Sequence, residues 1–123
     1  MSRRYWLRLS LESERQSWLS SQLRTRRTGT NLKTFAVTYT YSASPEELTA
    51  VRPEHRAWLA DQLAAGALLA SGPMIDMPTA LLIWRAESLE ALSQLLDQDP
   101  FDVVGFIGER TIAEWNPVFG PWS

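Results

Sequence analysis

The stretch Thr34 to Tyr41, TFAVTYTY, decides how the rest of the chain is placed. β-Branched and aromatic side chains fill it, and their character alternates from one residue to the next. That alternation has the period of a strand with one buried face. The stretch therefore predicts a first strand, and the later elements are counted from it.

Two helix-start signals follow this strand. Ser44 begins a capping box and predicts a short helical turn over 46–50. Pro53 then predicts that the helix restarts, because its fixed φ suits a first helical position and disfavours helical geometry at the preceding residue. We expect the main helix over 53–65, with Gly66 as a left-handed cap.

The second half of the chain completes the pattern. Short apolar runs near glycine and proline predict strands, and leucines at three- and four-residue spacings predict a second helix. In chain order these are a strand over 67–71, a strand over 79–85, a helix capped by Ser88 and ended by Asp99 and Pro100, and a strand over 106–115. The order βαββαβ predicts an α+β, ferredoxin-like fold, in which two helices cover one face of a four-stranded antiparallel sheet. Because the other face has no cover, we expect a homodimer.

Composition excludes several classes of function. The 123 residues include no cysteine, which excludes a disulfide framework, a thiolate zinc site and a cysteine nucleophile. The one histidine, His55, cannot form a several-histidine metal site within one chain. No apolar run approaches the roughly 20 residues that span a bilayer, and the start lacks the apolar core of a secretory signal. We expect a cytoplasmic protein with no metal, no cofactor and no membrane partner.

Charge divides the chain at about residue 32. The basic residues up to Lys33 outnumber the two glutamates there, and the acidic residues dominate afterwards. We interpret residues 1–32 as a basic, flexible extension and residues 33–123 as the folded domain. Tryptophans and arginines in the extension also fit an amphipathic helix for nucleic acid or an anionic membrane. The polar run over 24–31 disfavours that alternative.

The candidate chemistry centres on His55. At four-residue spacing it shares a helix face with Leu59 and Leu63, which places its imidazole near the rim of the apolar layer. Imidazole exchanges protons near neutral pH, so His55 is a candidate general acid or base. Asp99 follows the second helix and could orient that imidazole, as the third group does in catalytic triads. A structural histidine and an ordinary Asp-Pro helix stop explain the same residues.

The end of the second strand offers a place for a ligand. Ser71, followed by Gly72 and Pro73, combines a hydroxyl with open backbone amides, although it could equally be a turn residue. The serine lies outside any nucleophile-elbow pattern, so we assign it hydrogen bonding and not covalent attack. The chain contains no phosphate-binding glycine loop, no zinc spacing and no dinucleotide fingerprint.

Three stretches resemble the signature stretches of the YciI-like (YCII-related) family in content, order and spacing. They are RPEHRAWL at 52–59, GALLASGP at 66–73 and DQDPF at 97–101. The resemblance implies a ferredoxin-like protomer in a dimeric α/β barrel, with an active-site cleft whose histidine and aspartate correspond to His55 and Asp99. One branch of the family is similar to dehydrochlorinases of hydroxylated chloroaromatics, and the fold is shared with muconolactone isomerases.

Two functions remain open from the sequence. The first is a small cofactor-independent enzyme that eliminates or isomerises a cyclic or aromatic metabolite, in which His55 moves the proton and Asp99 sets its tautomer and charge. The second is a non-catalytic binding or accessory module. In either case a small molecule is the expected partner, and the expected substrate-binding residues are Arg52, Ser71, Gly72, Pro73 and Phe101.

Overall fold

A computed structural model of the protein describes residues 32–123. The predicted basic extension and its amphipathic-helix alternative lie outside this range, apart from Leu32. The elements, in chain order, are β1 (Lys33–Tyr41), α1 (Pro45–Ala64), β2 (Leu68–Pro73), β3 (Thr79–Ala86), α2 (Leu89–Leu96), α3 (Pro100–Val103) and β4 (Ile107–Glu114). The predicted βαββαβ order is confirmed, with the one-turn helix α3 added before the last strand.

The four strands form one sheet in the order β2-β3-β1-β4. β1 pairs antiparallel with both β3 and β4, and β2 pairs antiparallel with β3. The strand that begins the domain is therefore central, and the predicted α+β, ferredoxin-like fold is confirmed.

The alternation along β1 decides which face is buried. Phe35, Val37 and Tyr39 point to one side and are fully buried, whereas the residues between them are only partly covered. The buried side packs with Leu92 and Leu96 of α2 and with α1, so both helices lie on that face. The core is thus the layer between β1, its neighbour β3, and the two helices.

α1 is one continuous helix of 20 residues, so the predicted restart at Pro53 was wrong. The capping box at Ser44 is present, and the helix that it begins runs on through the proline. Pro53 is exposed, which gives its ring room on the solvent side. Leu48 before it and His55 after it are both buried, and this seven-residue spacing keeps the two halves against the same surface.

The buried side of α1 narrows toward its C-terminus. Leu59 is half-buried, but Leu63, which we expected on the same face as His55, is 45% exposed. A helix turns through about 100° per residue, so each four-residue step rotates a side chain by about 40°. Two such steps take Leu63 out of the apolar layer. Neither α1 nor any other helix in residues 32–123 is long and apolar enough to cross a membrane.

Gly66 ends α1 in the left-handed conformation that the sequence predicted, with φ +84°. An L side chain strains this conformation by about 1 kcal/mol, so Gly66→Ala should lower the free energy of unfolding by about that amount. Gly72→Ala is the matched control, because Gly72 does not have a positive φ and a methyl group there would meet nothing within 4 Å. Urea unfolding measures both variants, and equal stabilities would contradict the role of Gly66 as a cap.

Candidate functional site

Asp99 lies at the start of α3 and caps it. Its side-chain Oδ1 accepts a hydrogen bond from the backbone N–H of Phe101 at 2.9 Å, and Pro100 occupies the first helical position. The Asp-Pro pair that we interpreted as a stop for α2 also begins a new helical turn. This cap fixes the carboxylate, which is completely buried.

Three donors from three elements converge on this carboxylate. The Phe101 N–H of α3 and His55 Nδ1 of α1 share Oδ1, with His55 at 2.7 Å, and the Tyr39 hydroxyl of β1 donates to Oδ2 at 2.9 Å. An ionised carboxylate can only accept, so Nδ1 carries a proton and donates it. Asp99 therefore joins the helices to the central strand and selects the histidine tautomer.

The orientation of the His55 ring is fixed, as well as its tautomer. Its ring stacks on Phe101 with the centroids 4.0 Å apart and the planes 15° from parallel. The side chain is only 9% exposed. Within residues 32–123, Nε2 forms no hydrogen bond, and a neutral ring protonated at Nδ1 presents its lone pair there. The geometry leaves one imidazole nitrogen free to accept a proton.

Tyr39 is a residue of the candidate site that the sequence reasoning missed. Burial, together with the charge and hydrogen bond of Asp99, raises the pKa of Tyr39 well above its ordinary value. The phenol therefore stays protonated and remains a donor to Asp99. A usable signal was present, because a tyrosine at a buried position of a strand needs a partner for its hydroxyl.

Arg110 of β4 fixes the loop that carries Asp99. Its guanidinium donates to Asp97 Oδ1 at 3.0 Å and to Ser93 Oγ at 2.9 Å, and it lies 3.6 Å from Asp102 Oδ2. Burial raises the pKa of Asp102, and Arg110 partly offsets that effect. The two carboxylates stand on either side of Asp99 in sequence, so one arginine restrains both ends of the loop.

Two of the predicted substrate-binding residues lie near the pair. Phe101 contacts His55 directly, as described above. Arg52 is half-buried one turn before His55 and donates to Thr49 Oγ1 at 3.2 Å. Its charge acts on the phenol of Tyr41, whose pKa is raised by burial and by Asp99 and lowered by Arg52.

The other three lie along β2, on the edge of the sheet. Ser71 and Pro73 are exposed and lie opposite Leu82 and Ala80, on the helix-covered face, whereas Gly72 lies opposite Leu81. The three β2 residues make no hydrogen bond or ring contact with His55 or Asp99 within residues 32–123. The structure thus brings together His55, Asp99 and Phe101.

The fold and the buried Asp–His pair define a small ferredoxin-like protein with one imidazole nitrogen left free. The chain belongs to the YCII-related domain family, whose model matches residues 33–116. That match contains the three stretches on which the resemblance was based. A search of curated proteins gave no match.

Solved structures that share the fold include the following two. One is the 5-chloro-2-hydroxyhydroquinone dehydrochlorinase of Burkholderia phenoliruptrix AC1100 in complex with 2,5-dihydroxybenzoquinone, at 22% identity and a TM-score of 0.54, over 68% of this chain and 93% of that chain. The other is a NIPSNAP family protein of Agrobacterium tumefaciens, at 21% identity and a TM-score of 0.50, over 76% of this chain and 100% of that chain. Both likenesses support the predicted ferredoxin-like fold of the domain.

Replacing the carboxylate tests whether Asp99 sets the histidine tautomer. Asp99→Asn cannot accept all three hydrogen bonds, so the free energy of unfolding should fall by about 2 kcal/mol or more. Nitrogen-15 NMR should show Nδ1–H for the neutral ring of the native protein and a mixture of tautomers in the variant. Because the chain has one histidine, the signals need no assignment.

Asp102→Asn is the control for this experiment, since it changes a nearby carboxylate, in α3, that does not contact His55. It should weaken the contact with Arg110 and leave the tautomer as in the native protein. A native ring that carries its proton on Nε2 would contradict the arrangement described here.

Proposed function

We propose that this YCII-related protein is a cofactor-independent enzyme that moves a proton on a small cyclic or aromatic metabolite. One observation carries the proposal: a buried carboxylate fixes His55 through Nδ1, and Nε2 is left without a partner within residues 32–123. This is the arrangement of a general base whose direction and tautomer are set before the substrate arrives.

The proposed reaction begins at Nε2. The neutral imidazole takes a proton from a substrate carbon or hydroxyl and becomes an imidazolium. In an isomerisation it returns that proton to another atom of the ring. In an elimination the electrons of the broken C–H bond form a double bond, the halide leaves with the electron pair of its bond to carbon, and the imidazolium then releases its proton to solvent. Both routes balance without an oxidant or a reductant.

Asp99 would lower the energy of the charged intermediate. The imidazolium forms 2.7 Å from a carboxylate in a water-poor environment, where the attraction between opposite charges is stronger than in water. Because Tyr39 and the Phe101 N–H already hold the carboxylate, no groups need to reorganise when the charge appears.

The surroundings of His55 support an aromatic or cyclic substrate. The imidazole stacks on Phe101, and Arg52 lies one helical turn before His55, so a flat ring would meet an apolar wall and an oxygen substituent could meet a cation. The Ser71 hydroxyl and the amides near Gly72 would hold a second oxygen. The dehydrochlorinase with the same fold was solved with a dihydroxybenzoquinone bound, which is a ligand of this kind.

One observation favours a second function, that of a non-catalytic binding module. The His55 side chain is nine-tenths covered and already has one bonded nitrogen, which a histidine with a structural role would also show. In that case the same surface would bind a metabolite, and Nε2 would only donate or accept a hydrogen bond.

Turnover distinguishes the two functions. Hydroxylated and chlorinated aromatics and small lactones would be incubated with the protein in D₂O, and deuterium uptake and chloride release would be followed by NMR and ion chromatography. Removing a general base usually costs at least about 100-fold in rate, so His55→Gln should lose turnover by that factor and keep ligand binding.

Arg56→Gln is the control, because Arg56 is exposed and follows His55 in sequence. It should behave as the native protein does. Ligands that bind the native protein without turnover would favour the module, and full turnover by His55→Gln would exclude the proposed base.

We further propose that two copies pair through the sheet face opposite the helices. Thr38 of β1, Leu81 of β3 and Thr111 of β4 lie on this face, next to one another in the strand pairing. These side chains are apolar or uncharged, and no helix of residues 32–123 packs on them. A second copy would bury them as the core buries the opposite face.

A charge in the middle of this face should prevent the pairing. Leu81→Arg is expected to halve the mass measured by light scattering, because a buried, unpaired guanidinium is costly. Leu89→Arg is the matched control, since Leu89 lies on α2 and is 44% exposed against 36% for Leu81. A native protein of single-chain mass, or a dimer that tolerates Leu81→Arg, would contradict the proposal.

A further inference from the structure

A row of three aromatic rings runs from His55 to the end of β1. The imidazole of His55 stacks on the ring of Phe101. The ring of Tyr41 meets the ring of Phe101 edge-on, with the centroids 5.6 Å apart and the planes at 80°. Tyr41 also contacts Tyr39 edge-on, at 6.4 Å. The half-buried Tyr41 therefore lies one ring away from the proposed base and on the same side of the sheet.

A β-bulge sets the position of Tyr41. Thr40 pairs with Glu109, but Tyr41 pairs with Ile107, so Gly108 is an extra residue in β4. A Cβ on Gly108 would lie 3.1 Å from the Cβ of Ser42, so glycine permits this close approach. Bulges often re-aim a side chain beside a functional site.

The hydroxyl of Tyr41 is a hydrogen-bond donor with no acceptor within residues 32–123. Within residues 32–123 its hydroxyl forms no hydrogen bond, in contrast to that of Tyr39. Burial raises the pKa of Tyr41, so the phenol is protonated at neutral pH. Its two main charged neighbours are Asp99, which is occupied by its own three donors, and Arg52.

The positive charge of Arg52 acts on this phenol and lowers the pKa of Tyr41. Within the described range it donates through Nη1 to Thr49, and a guanidinium has five N–H groups. A phenol and a guanidinium together form a site for an anionic oxygen, since each donates and the arginine also neutralises the charge.

We propose that Tyr41 is a substrate-binding residue that acts with Arg52 to hold an ionised oxygen on the ring attacked by His55. This inference rests on the proposed function and narrows its substrate class to aromatic or quinonoid anions, such as phenolates and enolates. The same contacts would hold negative charge that develops on that oxygen when His55 removes a proton elsewhere on the ring. The resulting charge would lie between these two donors.

Titration calorimetry with two quinones tests the proposal. 2,5-Dihydroxybenzoquinone ionises readily at its hydroxyl groups, whereas 2,5-dimethoxybenzoquinone has the same ring and carbonyls and cannot ionise. The native protein should bind the first at least about tenfold more tightly. A hydrogen bond to a charged group is worth about tenfold or more in affinity, so Tyr41→Phe, which keeps the ring, should reduce this preference by about that factor.

Arg52→Gln should reduce the same preference and weaken its dependence on salt, while Arg56→Gln should keep both as in the native protein. Since Arg52 is only half-buried, this variant keeps the test valid even if Tyr41→Phe unfolds, which circular dichroism would show. Equal binding of the two quinones by the native protein, or an unchanged preference in both Tyr41→Phe and Arg52→Gln, would overturn the inference.

A failure of the proposed anion site can be distinguished from a failure of the proposed enzyme activity. His55-dependent turnover without a preference for the ionised quinone would support the proposed enzyme and contradict the proposed substrate class. A preference that depends on Tyr41 and Arg52, without turnover of any substrate, would support the anion site and contradict the proposed enzyme. The protein would then be a binding module.

Discussion

The structure depends on satisfying one buried carboxylate. An ionised Asp99 with no exposed surface would be very costly unless its oxygens were hydrogen-bonded, and its donors come from β1, α1 and α3. Each element must therefore keep its place relative to the other two. The arrangement that holds the central strand against the helices is the same one that orients His55, so the stability of the core and the geometry of the site have a common origin.

The number of donors also bears on the chemistry. A carboxylate bound by His55 alone would hold an imidazolium firmly and make it slow to release its proton. Tyr39 and the Phe101 N–H take part of the charge of Asp99, so the attraction to His55 is shared among three groups. In the proposed reaction, a base that both takes and releases a proton would benefit from this balance. Arg110 of β4 restrains the loop that carries Asp99 through its hydrogen bonds to Asp97 and Ser93.

Local patterns predicted most of the fold, because the alternation along a strand, the capping box of a helix and the glycine that ends a helix each depend on only a few neighbouring residues. Pro53 was misjudged for the same reason: the local rule disfavours a proline within a helix, but the packing of Leu48 and His55 outweighs it. His55 and Asp99 were identified from their places in the predicted helices and then by family resemblance, whereas Tyr39 was not identified. The period of a strand tells which face a tyrosine occupies, and a partner 60 residues away in sequence is set only by the register of the whole sheet.

The two ends of β1 serve different purposes. At one end Phe35 lies opposite Trp84, whose indole N–H is buried without a partner in the described chain and whose ring contacts Trp58. Leaving that donor unpaired has a cost, so the volume of the tryptophan and not its polarity accounts for its place there. At the other end Tyr39 is equally buried, and its hydroxyl is paired with Asp99. Apolar packing thus anchors the strand at one end, and at the other end the strand contributes a polar group, the Tyr39 hydroxyl, to the hydrogen bonds of Asp99.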